Sequence, residues 1–417
     1  MSILAGHRQR NVRMFENTLP CLEWDRQRVR QWPKGSLFIA DPLRYHDTQM
    51  RTAFLLLFLS ASASHGQTTD PDSLLKAGVL AQQRGDYSVA IKDYQRVLQL
   101  RPEMAEVRAN LGAALAHEGR FQEAITQDRL ALAAMPESTQ IKMNLGLAYF
   151  KKGDYAKAEE VFRQIQQAAP DNPQIAILLG DSEVRSGHAQ AAVTMLTPLE
   201  DRNAQNPDFE YVLGSALIQA GNLRDGVVRI QKVAETTGAA DSYLLAGSTY
   251  MDLHEFAHAK TDLEEALRLN PGLPRVHVLT GMARDMTGDA TSAEPEFREE
   301  LKLTPDDFDS NLYLGAILYK GRHMDEAKPY LYKALQLRPT SELALYEVAL
   351  WENTSGEYED AAKHLEAVVK SNPEWLDPHV QLATVYYRLH RSDDGARERT
   401  IVAKLNAQQQ SEGPPQP

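Results

Sequence analysis

The chain has 417 residues, a formal net charge of −12 at pH 7 and a sequence pI near 5.5. An acidic chain is repelled by the phosphate backbone, so general nucleic-acid binding is not expected. Cys21 is the single cysteine, which excludes a disulfide within the chain and a cluster of thiolate metal ligands.

Residues 1–49 differ from the rest of the sequence because they are basic and lack apolar periodicity. A new pattern begins at Met50-Arg51, continues as an apolar run from Ala53, and ends in the small residues Ala61-Ser62-Ala63. A short positive start, an apolar run and a small-residue cleavage site together predict a secretory signal peptide over residues 50–63.

A signal peptide belongs at an N-terminus, so its position indicates that translation starts at Met50 and that residues 1–49 are a misassigned leader. The protein would then be exported to the periplasm or the outside of the cell. The alternative is translation from Met1, with a basic arm before a short membrane-touching segment, in a cytoplasmic protein. The apolar run is too short to span a bilayer. Residues 64–70 are expected to form a polar linker, and residues 410–417 a disordered tail.

From residue 71 onward the sequence repeats at intervals of 34 residues. In residues 139–172, two amphipathic helix patterns meet at a turn containing Gly153, and Pro170 ends the second pattern. Gly146 and Ala158 are small where the two helices would cross, which lets their backbones approach closely. The small residue of the first pattern recurs at Gly78, Gly112, Gly146, Gly180, Gly214, Gly247, Gly281, Gly315, Ala349 and Ala383.

This pattern resembles the tetratricopeptide repeat (TPR) family, whose unit is a 34-residue helix–turn–helix. The resemblance covers residues 71–409 and implies an all-α fold, a right-handed TPR superhelix (α-solenoid) of about ten repeats. The predicted repeats are 71–104, 105–138, 139–172, 173–206, 207–239, 240–273, 274–307, 308–341, 342–375 and 376–409. The joint between the fifth and sixth is one residue short and lacks the closing proline, so we expect a bend or hinge there.

One motif favours an enzyme. His254-Glu255-Phe256-Ala257-His258 matches the HExxH signature of zinc proteases, in which both histidines lie on one face of a continuous helix. His254, however, takes the repeat position of Gly153, at the turn before the second helix. The motif is therefore expected to be a chance match, and a zinc-dependent hydrolase at residues 254–258 remains the less favoured alternative.

The family resemblance implies a binding surface, because the first helix of each TPR unit lines a concave wall that holds peptides or partner proteins. Methionine and tyrosine at these positions suit recognition of varied apolar side chains. The candidate partner-binding residues are Asn110, Met143, Asn144, Phe150, Tyr211, Met251, Met282, Met286, Tyr319, Tyr346 and Tyr387.

Two binding patterns of the family can be compared with this sequence. The clamp that grips a C-terminal carboxylate needs Lys and Asn on the first helix, where the first repeat has Leu75 and Val79. Asn110 and Asn144 are similar to the start of the asparagine ladder of the O-linked N-acetylglucosamine transferase superhelix, since an amide can donate to and accept from a peptide backbone. The ladder then ends with Leu178, Val212 and Leu245.

The sequence therefore predicts an exported, non-catalytic scaffold that binds a protein or peptide segment, in a role such as envelope assembly or secretion. The prediction includes no cofactor, no metal, no nucleic acid and no integral membrane segment after signal cleavage. A cytosolic TPR adaptor is the alternative if translation starts at Met1.

Overall fold

A computed structural model describes residues 70–411, and its regular secondary structure over that range is helical. The predicted leader, signal peptide and most of the linker, as well as residues 412–417 of the predicted tail, lie outside the described residues. The chain divides into two compact units, one ending at Leu253 and the other beginning at His254. The division falls inside the sixth predicted repeat.

The described part of unit 1 consists of consecutive antiparallel helices joined by short turns. Its helices are α1 Pro71–Gln83, α2 Tyr87–Leu100, α3 Ala105–His117, α4 Phe121–Ala134, α5 Thr139–Lys152, α6 Tyr155–Ala168, α7 Pro173–Arg185, α8 Ala189–Leu196, α9 Glu200–Asn203, α10 Pro207–Gln219, α11 Leu223–Thr237 and α12 Ala240–Asp252.

Unit 2 continues the alternation of first and second helices. Its helices are α13 Phe256–Leu269, α14 Val276–Met286, α15 Ala290–Leu303, α16 Phe308–Lys320, α17 Met324–Leu337, α18 Glu342–Ser355, α19 Tyr358–Ser371, α20 Leu376–Arg388 and α21 Ser392–Ser411. Within each unit, a helix packs mainly on its neighbours along the chain, which is the nearest-neighbour architecture of a solenoid. The predicted all-α repeat fold is confirmed.

Local sequence sets where the helices begin and end. The Ser138 hydroxyl accepts from the Ile141 N–H at 3.4 Å, and the Asn172 amide oxygen accepts from two N–H groups at the start of α7. Such caps satisfy donors that have no partner within the helix. Gly153 ends α5 in the left-handed conformation, with φ of 87°, which costs glycine little because it has no Cβ.

Three repeats adopt this left-handed turn without glycine. His254, Arg322 and His390 occupy the same repeat position as Gly153 and have φ of 57°, 64° and 59°. A side chain in this region is strained, and at Arg322 and His390 the turn is held by the packing of the two helices that it joins.

The joint between the fifth and sixth repeats is tight. Helix α11 runs to Thr237, Gly238 caps it with φ of 68°, and α12 starts at Ala240. The turn therefore contains two residues, which accounts for the shortened repeat. The second helix of the fourth repeat is interrupted instead, because Pro198 lies in a 3₁₀ turn between α8 and α9 and proline cannot donate to the preceding turn.

Close helix crossings depend on the small residues that the sequence repeats. A Cβ added to Gly146 would lie 2.5 Å from Cε1 of Phe162, a side chain with no exposed surface. In the ninth repeat, the residue at the position of Gly146 is larger and the residue at the position of Phe162 is smaller. These residues are Ala349 and Leu365, and both are fully buried.

This comparison leads to a packing prediction. Gly146→Ala should lower the free energy of unfolding by about 1–3 kcal/mol, because the new methyl overlaps a buried ring. Gly146→Ala combined with Phe162→Leu should lose less than the sum of the two single changes. Urea unfolding of the three variants, followed by circular dichroism, measures the coupling; strictly additive losses would contradict this account.

Polar bonds link the second helix of one repeat to the first helix of the next. They join equivalent positions in different repeats, while the donor and acceptor residue types change. The pairs are Arg163–Glu183, Gln231–Tyr250, Glu264–Arg284, Tyr332–Glu352 and Glu366–Tyr386.

Candidate functional site

The first helices form the candidate binding face in each unit. Consecutive first helices pack directly on one another, as α7 and α10 do in unit 1 and α16 and α18 do in unit 2. Their side chains therefore produce a continuous surface along each unit. We call this surface the first-helix face. It is formed by α1, α3, α5, α7, α10 and α12 in unit 1 and by α14, α16, α18 and α20 in unit 2.

The candidate residues differ in how much of their side chains this face exposes. Phe150, Met282 and Tyr346 are buried, with 5%, 9% and 8% of their surface exposed. Tyr387, on α20, is exposed at 39%. The remaining candidates are half-buried, namely Asn110, Met143, Asn144, Tyr211, Met251, Met286 and Tyr319.

In unit 1 the face is organised around Arg185 at the end of α7. Its Nε donates to Oδ1 of Asp181 at 2.8 Å, and its guanidinium lies 5.4 Å from the ring centroid of Phe150. The same guanidinium lies 5.3 Å from the ring of Tyr155. Arg185 is held by an ion pair within its own helix, and its contacts with two aromatic rings join the third repeat to the fourth.

The charges of the same ion pair change the pKa of Tyr211, which lies on the next first helix. Burial raises the pKa of Tyr211 to about 12, and the carboxylate of Asp181 raises it further. Burial also raises the pKa of Asp181 itself, against the effect of Arg185. The phenol of Tyr211 therefore keeps its proton well above pH 7.

Asp181 and Arg185 are not among the candidate residues predicted from the sequence. They lie on the same helix, four residues apart. In the third repeat, Leu147 takes the position of Asp181 and Lys151 that of Arg185. Their spacing is the one signal that could have indicated an ion pair on one face. Which rings they would contact depends on the neighbouring repeat.

The asparagine ladder stops for a structural reason. Asn144 is half-buried and its Oδ1 accepts from Gln140 Nε2 at 3.1 Å. At the equivalent position of the next two repeats, Leu178 and Val212 are 1% and 3% exposed. That position belongs to the core there, so it cannot present an amide to a bound peptide.

In unit 2 the face combines methionine and tyrosine. Met286 is half-buried at the end of α14. The hydroxyl of Tyr319 lies 3.0 Å from the Thr354 hydroxyl of the next first helix. The ring of Tyr346 packs 4.8 Å from that of Trp375. The half-buried Met286 and Tyr319 can therefore gain contacts on binding, while the buried Tyr346 cannot.

The HExxH match does not form a zinc-protease helix. His254 lies in the turn, Glu255 is the residue that precedes the helix, and α13 begins only at Phe256. Nδ1 of His258 lies 3.1 Å from Oε2 of Glu255. The two histidines consequently do not lie one turn apart on a single helix, which that chemistry requires.

Over residues 70–411, no three or more His, Cys, Asp or Glu side chains form a group that could hold a metal ion. No helix of the described chain has the length and apolar character needed to cross a membrane.

Comparisons with known proteins agree with the repeat pattern. Five segments match the model of a family described as Tetratricopeptide repeat, at residues 75–138, 128–173, 177–234, 244–308 and 287–342. Together they cover more than half of the chain. No curated protein matches the sequence.

Several solved structures resemble the chain at low identity. A tetratricopeptide repeat protein from Parabacteroides merdae ATCC 43184 is 15% identical, with a TM-score of 0.47 over 58% of this chain and 97% of that one. The APC/C hetero-tetramer Cut9-Hcn1 is 13% identical, with a TM-score of 0.45 over 81% of this chain and 88% of that one. MamA from Desulfovibrio magneticus RS-1 is 24% identical, with a TM-score of 0.37 over 41% of this chain and 96% of that one. At these identities and TM-scores, the functions of these proteins are not transferred to this chain.

Proposed function

The chain belongs to the tetratricopeptide repeat family, and from that premise we propose that it is a non-catalytic scaffold that binds a protein or peptide segment on its first-helix face. The observation that carries the proposal is the half-buried Met286 and Tyr319 on consecutive first helices of unit 2. Half-buried apolar and aromatic side chains on a continuous face are typical of interaction surfaces.

The chemistry of the face supports binding rather than catalysis. Several of its polar groups are engaged in pairs, either within one helix, as Arg185 and Asp181 are, or between adjacent repeats, as Tyr319 and Thr354 are. Methionine is flexible and polarisable, so it adapts to different partner side chains. Tyrosine adds a large contact area that loses little conformational entropy on binding.

The cellular role is proposed from the sequence. The pattern at residues 50–63 favours export, and an exported array of this family would serve as a scaffold in envelope assembly or secretion. N-terminal sequencing of the native protein tests this directly. A mature protein that starts just after Ala63 supports export, whereas one that still carries residues 1–49 in the cytosol makes it a cytosolic adaptor.

Site-specific photo-crosslinking tests the binding face. Benzoylphenylalanine would replace Met286 or Tyr319 in cells that make the protein. The matched control is Leu303, at the end of the second helix α15, which is 66% exposed. A discrete crosslinked protein from the two first-helix positions, and none from position 303, is the expected result. Equal crosslinking from all three positions would overturn the proposed face.

A binding prediction follows for the partner identified in this way. Met286→Ala combined with Tyr319→Ala should weaken its affinity at least tenfold, which corresponds to a loss of about 1.4 kcal/mol or more. Leu303→Ala should leave the affinity unchanged. Isothermal titration with the purified partner measures both, and circular dichroism confirms that the variants retain their helices. An unchanged affinity of the double variant would show that these side chains do not bind.

A further inference from the structure

The second repeat has a carboxyl group in its core. Asp128, on α4, is 1% exposed, and neither of its carboxyl oxygens has a hydrogen-bond partner. It lies against Gly112 of α3, where an added Cβ would overlap the carboxyl group. In the first repeat, Tyr94 takes this position and its hydroxyl donates to Oε1 of Gln82 at 2.8 Å. Ala116 takes the position of Gln82 in the second repeat, so that repeat offers no such acceptor or donor.

The titratable groups of α3 are engaged away from this carboxyl group. Helix α4 packs mainly against α3 and α5. On α3, Arg108 donates to Oε1 of Gln127 at 3.2 Å and to the backbone oxygen of Pro102 at 2.8 Å. His117, at the end of α3, stacks on Tyr87 with the ring centroids 4.2 Å apart.

The groups of α5 and of α4 itself are also engaged or exposed. Lys142 pairs with Glu137 at 3.5 Å, and Nζ of Lys157 lies 5.6 Å from the ring centroid of Tyr149. The remaining charged side chains of α3, α4 and α5 are exposed, namely Glu106, Glu123, Arg129, Lys151 and Lys152. Burial is therefore the cause that raises the pKa of Asp128 to about 8.

The first repeat packs on the second and shares its core. Helix α2 packs against α3, and Leu74 and Tyr94 of the first repeat belong to the same apolar cluster as Leu111 and Leu115 of the second. In a solenoid each repeat is stabilised by its neighbours. A loss of packing in the second repeat therefore also removes support from the first, whereas α5 keeps its packing on α6.

We propose that Asp128 makes the first two repeats a pH-sensitive part of the array, in which residues 71–134 open as one unit when its carboxyl group ionises, while the helices from α5 onward stay folded. A buried carboxylate without a hydrogen-bond partner regains its hydration only when α3 and α4 separate. Local opening of this kind is common in proteins and involves contiguous segments. Asn110 lies on α3, so the opening also removes this candidate binding residue from the first-helix face.

Hydrogen exchange of the full chain, followed by mass spectrometry at pH 5, 6 and 7, tests the proposal. Each exchange rate is divided by that of an unstructured peptide at the same pH, which gives a protection factor. The folded-state pKa of about 8 lies above the unfolded value of about 4, so opening releases one proton over this range. Protection of α1–α4 should therefore fall about tenfold for each pH unit. A fall of the same size in α6–α8, or no fall in α1–α4, would overturn the proposal.

Three variants separate the ionisation of Asp128 from other effects of pH. Asp128→Leu and Asp128→Asn cannot ionise, so the protection of α1–α4 should no longer depend on pH in either variant. Glu123→Gln, on the same helix, removes an exposed carboxylate and should keep the wild-type pH dependence. Circular dichroism confirms that the variants retain their helices. If the Leu variant keeps the wild-type pH dependence, or the Gln variant loses it, Asp128 is not the group that opens this part of the array.

Discussion

Asp128→Leu is expected to raise the free energy of unfolding at pH 7 by about 4 kcal/mol. Asp128 is 1% exposed, and neither of its carboxyl oxygens has a hydrogen-bond partner. It lies against the Cα of Gly112, where any Cβ would overlap it. Burial raises its pKa to about 8, so at pH 7 folding must hold a proton on a group that is ionised in the unfolded chain.

Leucine fits this site because other repeats already have it there. The equivalents of Asp128 in eight other repeats are fully buried aromatic or aliphatic side chains, and in two of these repeats a leucine packs on the equivalent glycine. These equivalents are Tyr94, Phe162, Leu196, Ile230, Leu263, Phe297, Leu331 and Leu365. The expected gain of about 4 kcal/mol follows because the usual carboxyl pKa lies about 3 units below pH 7, and each pKa unit corresponds to about 1.4 kcal/mol.

The pH dependence of stability has a defined sign. The folded-state pKa of Asp128 lies above its unfolded value, so its contribution is fully favourable below about pH 4 and is lost as the pH rises to about 8. Unfolding should be measured in urea at pH 5, 7 and 9. Asp128→Asn is the control, because it removes the titration and keeps a buried polar group. A wild-type pH profile that matches the Asn variant would contradict this account.

The second large effect concerns Arg284, and Arg284→Ala should destabilise the chain by about 2–3 kcal/mol. Its guanidinium donates to Oε1 of Glu264 at 2.9 Å, to Oε1 of Glu296 at 2.7 Å and to the backbone oxygen of Ser292 at 3.0 Å. The arginine side chain is 18% exposed and that of Glu296 is 14% exposed. Removing the arginine leaves two carboxylates close together with one fewer cation.

Arg298 is the matched control within the same unit. It also pairs with two carboxylates, Glu294 and Glu326, but the three side chains are 33%, 35% and 47% exposed. Water screens such pairs, so Arg298→Ala should cost about 1 kcal/mol or less. Thermal unfolding of both variants provides the comparison. Equal destabilisation would mean that burial does not set the strength of these networks.

Polar bonds between adjacent repeats explain why Arg284 matters and Asp128 does not fit. Glu183, Arg284 and Glu352 occupy the same repeat position on their first helices, and each has a partner on the preceding second helix. Asp128 replaces a core residue within a repeat, and neither of its carboxyl oxygens has a hydrogen-bond partner. A buried polar group is tolerated when it is paired and costs free energy when it is not.

The sequence alone determined the helical pairs, their order and the turns between them. These features follow from local patterns, because apolar periodicity, capping residues and the small residues at helix crossings act within a single repeat. The position of His254 at the turn rather than on a helix was also predictable, since it follows from counting along the repeat from Gly153.

Only the tertiary structure decided which residues of the first-helix face are accessible. Phe150 and Met282 have the same sequence character as Met143 and Met286, yet the first two are buried and the last two are half-buried. Exposure at these positions is set by the side chains of the neighbouring repeat, which the pattern within one repeat does not specify. The same reason hid the ring contacts of Arg185 and the missing partner of Asp128.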